Sequence, residues 1–402
     1  MKKVPLFALE ARIKRELRSH LRSLGFERDK QGNLLPPSGD KSTVRTLHLA
    51  QRHAKIESER EFLLAAWSEL GRHFANGNDI IPARIKPRLE LIESETWQAR
   101  LFRLASLTWS VPVSRGYGRR MRFLVWDDSN DKLIGLIALG DPVFNLSVRD
   151  TYIGWTAQQR CDRLVNMLDA YVLGAMPPYN LLLGGKLVAA LVRSREVRKS
   201  FEDRYASARG IISRKRKRPA LVMVTTTSAL GRSSLYNRLR LDGKLIFRPL
   251  GFTQGWGHFH VPDATFELVR EFLRRKRHSY ATGFKFGDGP NWRLRAVRLA
   301  LNLLGLRPEL LCHGVKREVF ACELATNATE VLSGRHKRPR YTDLLTVRDL
   351  GSLATDRWVV PRADRFPEFR LHDRTHILKS FWPQSSTQAI STKGRFSGSC
   401  AS

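Results

Sequence analysis

Acidic residues are the scarce class in this chain: 38 Asp and Glu stand against 70 Lys and Arg, a formal net charge of +32 over 402 residues. A surplus of that size repels itself in a compact state and calls for a polyanionic partner, of which nucleic acid is the commonest. Cysteine is scarce as well. Cys161, Cys312, Cys322 and Cys400 are dispersed and none forms a C-x-x-C pair, which argues against a zinc module or a disulfide framework. No apolar run approaches the roughly 18 residues of a membrane span. The start, Met1-Lys2-Lys3-Val4-Pro5, lacks the apolar stretch of a signal peptide. The expectation is a cytoplasmic protein with reduced thiols, no bound metal and no membrane partner.

What is present is a core-forming composition, 42% hydrophobic and 9% aromatic, too rich for disorder over most of the length. Four segments are expected. Residues 1–94 read as a helical N-terminal module. Over 6–24, Leu9, Ile13, Leu17, Leu21 and Leu24 share one helical face, with Arg12, Lys14, Arg15, Arg18 and Arg22 elsewhere and Gly25 as the stop. The basic side reads as a solvated surface. A second helical stretch runs over 42–74, and Pro82 and Pro87 mark a linker.

Residues 95–273 read as an α/β core. After a helix near 95–107, strands over 119–126 and 133–139 flank the turn Asp127-Asp128-Ser129-Asn130-Asp131. Thr156 and Gln159 open a helix over 156–173 as a capping box. A strand over 179–183 runs into Gly184-Gly185-Lys186, and helices follow through 205. A strand over 221–226, a short helix over 233–239, strands over 245–250 and 256–261 and a helix over 262–273 complete the core. Residues 274–384 form a basic C-terminal region, and 385–402 a polar tail expected to be disordered.

The positive charge is clustered. Residues 201–280 hold 17 Lys and Arg against 6 Asp and Glu. The runs are Arg214-Lys215-Arg216-Lys217-Arg218, Arg274-Arg275-Lys276-Arg277-His278 and Arg335-His336-Lys337-Arg338-Pro339-Arg340, with Arg232 and Arg238 between the first two. Aromatics are interleaved, and Trp256, between two glycines, is the one placed for exposure. Lys and Arg track a phosphate backbone while flat rings stack on bases, so these residues are the nucleic-acid candidates, for DNA more than RNA. Three side chains offer chemistry. Tyr236 suits a general acid or a nucleophile on phosphate, with Arg232 and Arg238 near in sequence. His258 and His260 alternate along one expected strand and so share a face. A nuclease would add a divalent metal.

The 119–273 layout resembles the GNAT acetyltransferase superfamily, on the strength of the glycine pair between strand and helix and of Tyr236 before the last strands. That resemblance implies a GNAT-like mixed sheet, acetyl-CoA at Gly184, Gly185 and Lys186, and Tyr236 as general acid. The stretch departs from the family turn, Arg/Gln-x-x-Gly-x-Gly/Ala, in its adjacent glycines and missing Arg or Gln, which leaves the cofactor open. A second resemblance spans most of the chain. Leu24-Gly25-Phe26, the block from Gly135 to Trp155 with Asp141-Pro142-Val143-Phe144, Arg149-Asp150 and Ile153-Gly154-Trp155, and the blocks 225–237 and 250–260 are similar to the DruA family of Druantia anti-phage systems. It implies a component of phage defence working beside the helicase-like DruE, and the clustered positive charge makes the expected role of that component nucleic-acid binding, DNA above all. DNA processing, by nuclease or transposase-like strand transfer, and acyl transfer are the alternatives.

Overall fold

The computed structural model describes residues 5–28, 30, 34–35, 40–113, 118–207, 219–254, 260–281, 292–311 and 314–382. Seven strands build its sheet: β1 (Pro87–Leu91), β2 (Arg120–Asp127), β3 (Lys132–Gly140), β4 (Met167–Ala175), β5 (Met223–Thr227), β6 (Arg248–Phe252) and β7 (Glu318–Glu323). Their order is β6-β7-β5-β4-β3-β2-β1. Neighbours pair antiparallel except β4 and β5, which run parallel from Met167 opposite Met223 to Ala170 opposite Thr226. The expected mixed α/β fold is what the chain forms. Helices cover both faces, so β3 reads as a nearly unbroken apolar run rather than an alternating one.

The helices, in chain order, begin with α1 (Leu6–Ser23), α2 (Lys41–Ser58), α3 (Arg60–Leu70), α4 (Trp97–Ser106), α5 (Ser147–Ile153), α6 (Ala157–Arg163) and α7 (Gly184–Leu191). They continue with α8 (Arg195–Tyr205), α9 (Asp263–Arg275), α10 (Trp292–Leu303), α11 (Ala328–Ser333), α12 (Val347–Ala354), α13 (Val360–Arg365) and α14 (Thr375–Lys379). On one face of the sheet α7, α8, α12 and α13 bury Leu168, Ala170, Val224 and Phe320. On the other, α3 and α4 bury Leu124, Trp126, Leu136 and Ala138, while α5 and α11 bury Met167, Met223 and Ala321.

A separate core joins the N-terminus to the span between β6 and β7. Leu9, Ile13, Leu17 and Leu21 of α1 pack with Phe266, Val269, Phe272 and Leu273 of α9 and with Ala296, Val297, Ala300 and Leu301 of α10. The His20 ring, through Nε2, meets the His260 carbonyl at 2.7 Å and fixes α1 beside the start of α9. The sheet itself draws β1 from before residue 94 and β7 from after residue 273.

Of the expected strand over 256–261 only residues 260 and 261 are described, and neither lies in a strand; three other expected elements also form differently. The Thr156–Gln159 capping box does open α6, but the helix ends at Arg163 and β4 follows. Register slips between Ala138 and Leu139, whose partners are Val172 and Ala170. Tyr171 is left unpaired as a bulge, and that break in the period of two imitates a helical spacing. The expected strand over 179–183 is a single 3-10 turn, Tyr179–Leu182, ending in left-handed Leu183. A Cβ on Gly184 would stand 2.6 Å from the Tyr179 carbonyl oxygen, so only glycine lets the turn close this tightly. The expected helix over 233–239 is a chain of turns. The Glu318 carboxylate accepts from the Ser233 N–H at 2.9 Å and from Asn237 Nδ2 at 3.0 Å, pinning these turns to β7.

At the sheet edge, β6 carries Pro249 and an irregular register between Pro249 and Gly251.

Candidate functional site

Two kinds of charged residue emerge once the elements are in place: those with partners and those without. The Gly140–Trp155 block belongs to the first kind. Arg149, on α5, is fully buried and gives its Nη1 to the Val143 carbonyl at 2.7 Å and its Nη2 to that of Phe144 at 2.8 Å. Its charge is met by Asp150 at 2.6 Å, and Asp150 in turn takes Arg160 at 2.8 Å. Asp141 pairs with Arg119 at 2.7 Å, and Arg119 reaches the carbonyls of Val165 and Met167. These bonds fold residues 141–149 over β4 and β5.

Beneath that loop lies a cavity of about 560 Å³ with a largely apolar lining, into which Arg149, Asp169, Thr225, Thr227, Thr253 and Arg317 bring polar groups. Asp169 and Thr225 are register partners on the parallel pair, and Thr225 Oγ1 donates to Asp169 Oδ1 at 2.7 Å. Asp169 lies deep but keeps part of its surface open to the cavity. Burial pushes its carboxyl up to about 6, against the opposing pull of the Thr225 bond and Arg149. On the cavity's outer side, Arg317 Nη2 meets His48 Nε2 at 3.4 Å. Burial and that guanidinium hold His48 below the usual imidazole range, leaving its ring neutral to accept. The arrangement can bind a polar group and exchange a proton with it. Sequence reading missed Asp169 because it fell inside an expected helix. The available signal was a single carboxylate between Met167-Leu168 and Ala170-Tyr171-Val172.

The expected reactive residues are spread out. Tyr236 is 8% exposed, its ring packed against Phe247 and Phe320 at 5.0 and 5.2 Å. Burial pushes its phenol up to about 12. It belongs to the core on the sheet face opposite Asp169. His260 is half-buried at the α1–α9 contact, and burial and Arg293 hold its imidazole below the usual range. His258 and Trp256 lie outside the described residues. Gly184 and Gly185 open α7, and a Cβ on Gly185 would meet Leu235 Cδ1 at 2.9 Å, so both serve close packing. Lys186 lies 5.6 Å from the Trp358 ring centre, and burial, Arg357 and Arg238 lower its ammonium. Among the described residues no three His, Cys, Asp or Glu side chains gather where they could hold a metal ion.

The basic runs fare unequally. Arg214, Lys215, Arg216, Lys217 and Arg218 lie outside the described residues. In the second run Arg274 and Arg275 share Glu271, and Lys276 faces Glu10 at 3.7 Å, leaving Arg277 exposed. In the third, Arg340 and His336 share Glu330 and Arg335 donates to Ser333 Oγ, while Lys337 and Arg338 are exposed without an ion pair among the described residues. Arg232 and Arg238 are exposed on the turns after β5. The chain's clearest uncompensated row is on α1. Arg12, Lys14, Arg15, Arg18 and Arg22 have no acidic partner among the described residues. Lys14, Arg18 and Arg22, spaced i, i+4, i+8, rim with Glu27 a groove of about 640 Å³ floored by Leu17, Leu21, Leu301, Leu306, Leu310 and Leu311.

Fold and site together define a strongly basic mixed-sheet α/β protein, with no helix among its described residues long and apolar enough to cross a membrane. A family model described as Druantia protein DruA matches residues 38–334. A curated relative from Escherichia coli (strain UMEA 4076-1), named Druantia protein DruA, is 53% identical over 362 residues, covering 90% of each chain. No solved structure matches. The chain belongs to the DruA family.

Proposed function

We propose that this chain is the nucleic-acid-binding component of a Druantia anti-phage system, gripping DNA by its unpaired cations and working in the cytoplasm beside other Druantia proteins such as DruE. The observation that carries the reading is the α1 row, five cations that form no ion pair among the described residues, in a chain of net charge +32. Ion-paired side chains give up one contact to make another. Unpaired ones gain the full release of counterions from phosphate. Arg277, Lys337, Arg338, Arg232 and Arg238 extend the same supply; the candidates at 214–218, and Trp256 for base stacking, lie outside the described residues and join the proposal on sequence alone.

Fluorescence anisotropy with labelled duplex between about 50 and 200 mM salt tests this. Five phosphate contacts give a slope of log K on log salt near about −4.5. Binding indifferent to salt, or none at low salt, refutes the proposal.

A second reading, strand processing, draws on the Asp169 cavity, where a carboxyl titrating at about 6 can give or take a proton near neutrality. Labelled DNA incubated with Mg²⁺ or Mn²⁺ and the Asp169→Asn protein tests it. Cleavage that survives the substitution excludes Asp169. Acyl transfer at Gly184, Gly185 and Lys186, next to the parallel strand pair, is tested by calorimetric titration with acetyl-CoA.

A further inference from the structure

Two arginines line the cavity beneath the 141–149 loop, and they differ in what surrounds their charge. Arg149 is saturated by the loop and Asp150. Arg317 is half-buried and has no carboxylate partner among the described residues. Its Nη2 meets the neutral His48 ring at 3.4 Å, and its Nε is buried with no acceptor among those residues. Burial holds its guanidinium below the usual arginine range, and no acid opposes that shift. A cation withdrawn from water without a counterion is a standing cost to the fold, which a bound anion removes.

Register sets where this charge points. Asp169 stands opposite Thr225, and Thr225 and Thr227 stand opposite Ala321 and Val319 of β7. Arg317 precedes Val319 by two residues, so the same alternation turns it to the face that carries Asp169, Thr225 and Thr227. The Thr253 hydroxyl accepts from the Arg317 N–H at 3.0 Å, and the Thr253 N–H donates to the Arg317 carbonyl at 2.8 Å, tying the residue to the end of β6. Asp169 takes the Thr225 hydroxyl on Oδ1 and leaves Oδ2 without a hydrogen bond among the described residues. Pro142, Val143, Leu146 and Val315 supply apolar lining.

One uncompensated cation matches one negative charge. An apolar lining matches a flat, weakly hydrated body, and an open carboxylate oxygen accepts from an N–H edge. The volume, about 560 Å³, lies within the roughly 300–1,000 Å³ of small-ligand pockets. A nucleotide in a strand combines these features: a phosphodiester of single charge, a planar base, and N–H groups on the base edge. A base enters such a space only when it is unpaired and out of the stack. We infer that the cavity seats one unpaired nucleotide of a DNA strand, with its phosphodiester at Arg317 and its base toward Asp169. The inference rests on the nucleic-acid reading and adds the form of DNA that this cavity holds; it requires no cleavage.

Fluorescence anisotropy of the full chain with a labelled single strand, and with the duplex of the same sequence, tests it. Arg317→Gln is expected to weaken strand binding at least about fivefold and duplex binding by less than about twofold, because the duplex is held at α1 and not here. The Tm of that variant is expected to hold or rise, since the substitution removes a charge that burial opposes. Equal losses on strand and duplex overturn the inference, as does strand binding that the substitution leaves unchanged. A clear fall in Tm makes Arg317 a structural residue and overturns it too. Binding of duplex without strand overturns this inference alone, whereas binding of neither refutes the nucleic-acid reading beneath it.

Discussion

Arg149 under the 141–149 loop and Arg18 on α1 are the same side chain put to opposite uses. Each nitrogen of the Arg149 guanidinium has an acceptor, so the group fixes the course of a loop and has little left to offer a ligand. Along α1, Arg12, Arg15, Arg18 and Arg22 are exposed and form no ion pair among the described residues, so they contribute little to the fold and remain available. The α9 run stands between these extremes, dense in basic letters yet largely occupied by Glu271 and Glu10. Charge in a sequence is thus a poor measure of charge on offer, and the difference is settled by where the few acids go.

That contrast can be broken in several places. Arg149→Ala is the most severe test. It leaves the Val143 and Phe144 carbonyls without the buried guanidinium that holds their loop and takes a charge from Asp150, with an expected loss of about 3–5 kcal/mol in denaturant unfolding. A loss below about 1 kcal/mol would remove the distinction.

Asp169 tests the buried side by pH. Its carboxyl sits at about 6 in the folded chain against 3.8 ordinarily. The folded state therefore holds its proton more tightly, and stability falls as pH rises from about 4 through 6. Asp169→Asn is expected to gain up to about 3 kcal/mol over the native chain at pH 8 and to lose that advantage near pH 4. A Tm difference that does not vary with pH would contradict this.

The triple variant Arg15→Gln, Arg18→Gln, Arg22→Gln tests the exposed side. Duplex affinity is expected to drop about 30-fold at moderate salt with Tm unchanged, and the salt slope to become shallower by nearly 3. Arg274→Gln, Arg275→Gln, Lys276→Gln should produce the smallest change, less than about threefold, because those cations are already engaged. Equal losses in the two triple variants would erase the comparison.

Much of the frame was legible in the residues. The β2–β3 hairpin, the start of α6 and α9 announced themselves through turn residues, a capping box and helical spacing, all of them local signals. The α1 apolar stripe was equally plain, yet its partners, α9 and α10, lie more than 230 residues away. No periodicity could say that the first helix of the chain completes a core set between the last two strands. β4 failed for a related reason. The bulge at Tyr171 is a product of pairing with β3, and it scrambles the alternation that identifies a strand. The candidate sites were less visible still. Asp169 looks unremarkable in isolation, and only the sheet's register and the loop laid over it bring it to a cavity.

The outermost strand has one further consequence. β6 presents a proline and a broken register where a regular edge would offer a ladder of free amides and carbonyls. Another copy cannot zip onto that border and lengthen the sheet. That border is thereby closed to sheet extension, a safeguard that would matter if, as proposed, the basic chain is gathered at high local concentration on a polyanion.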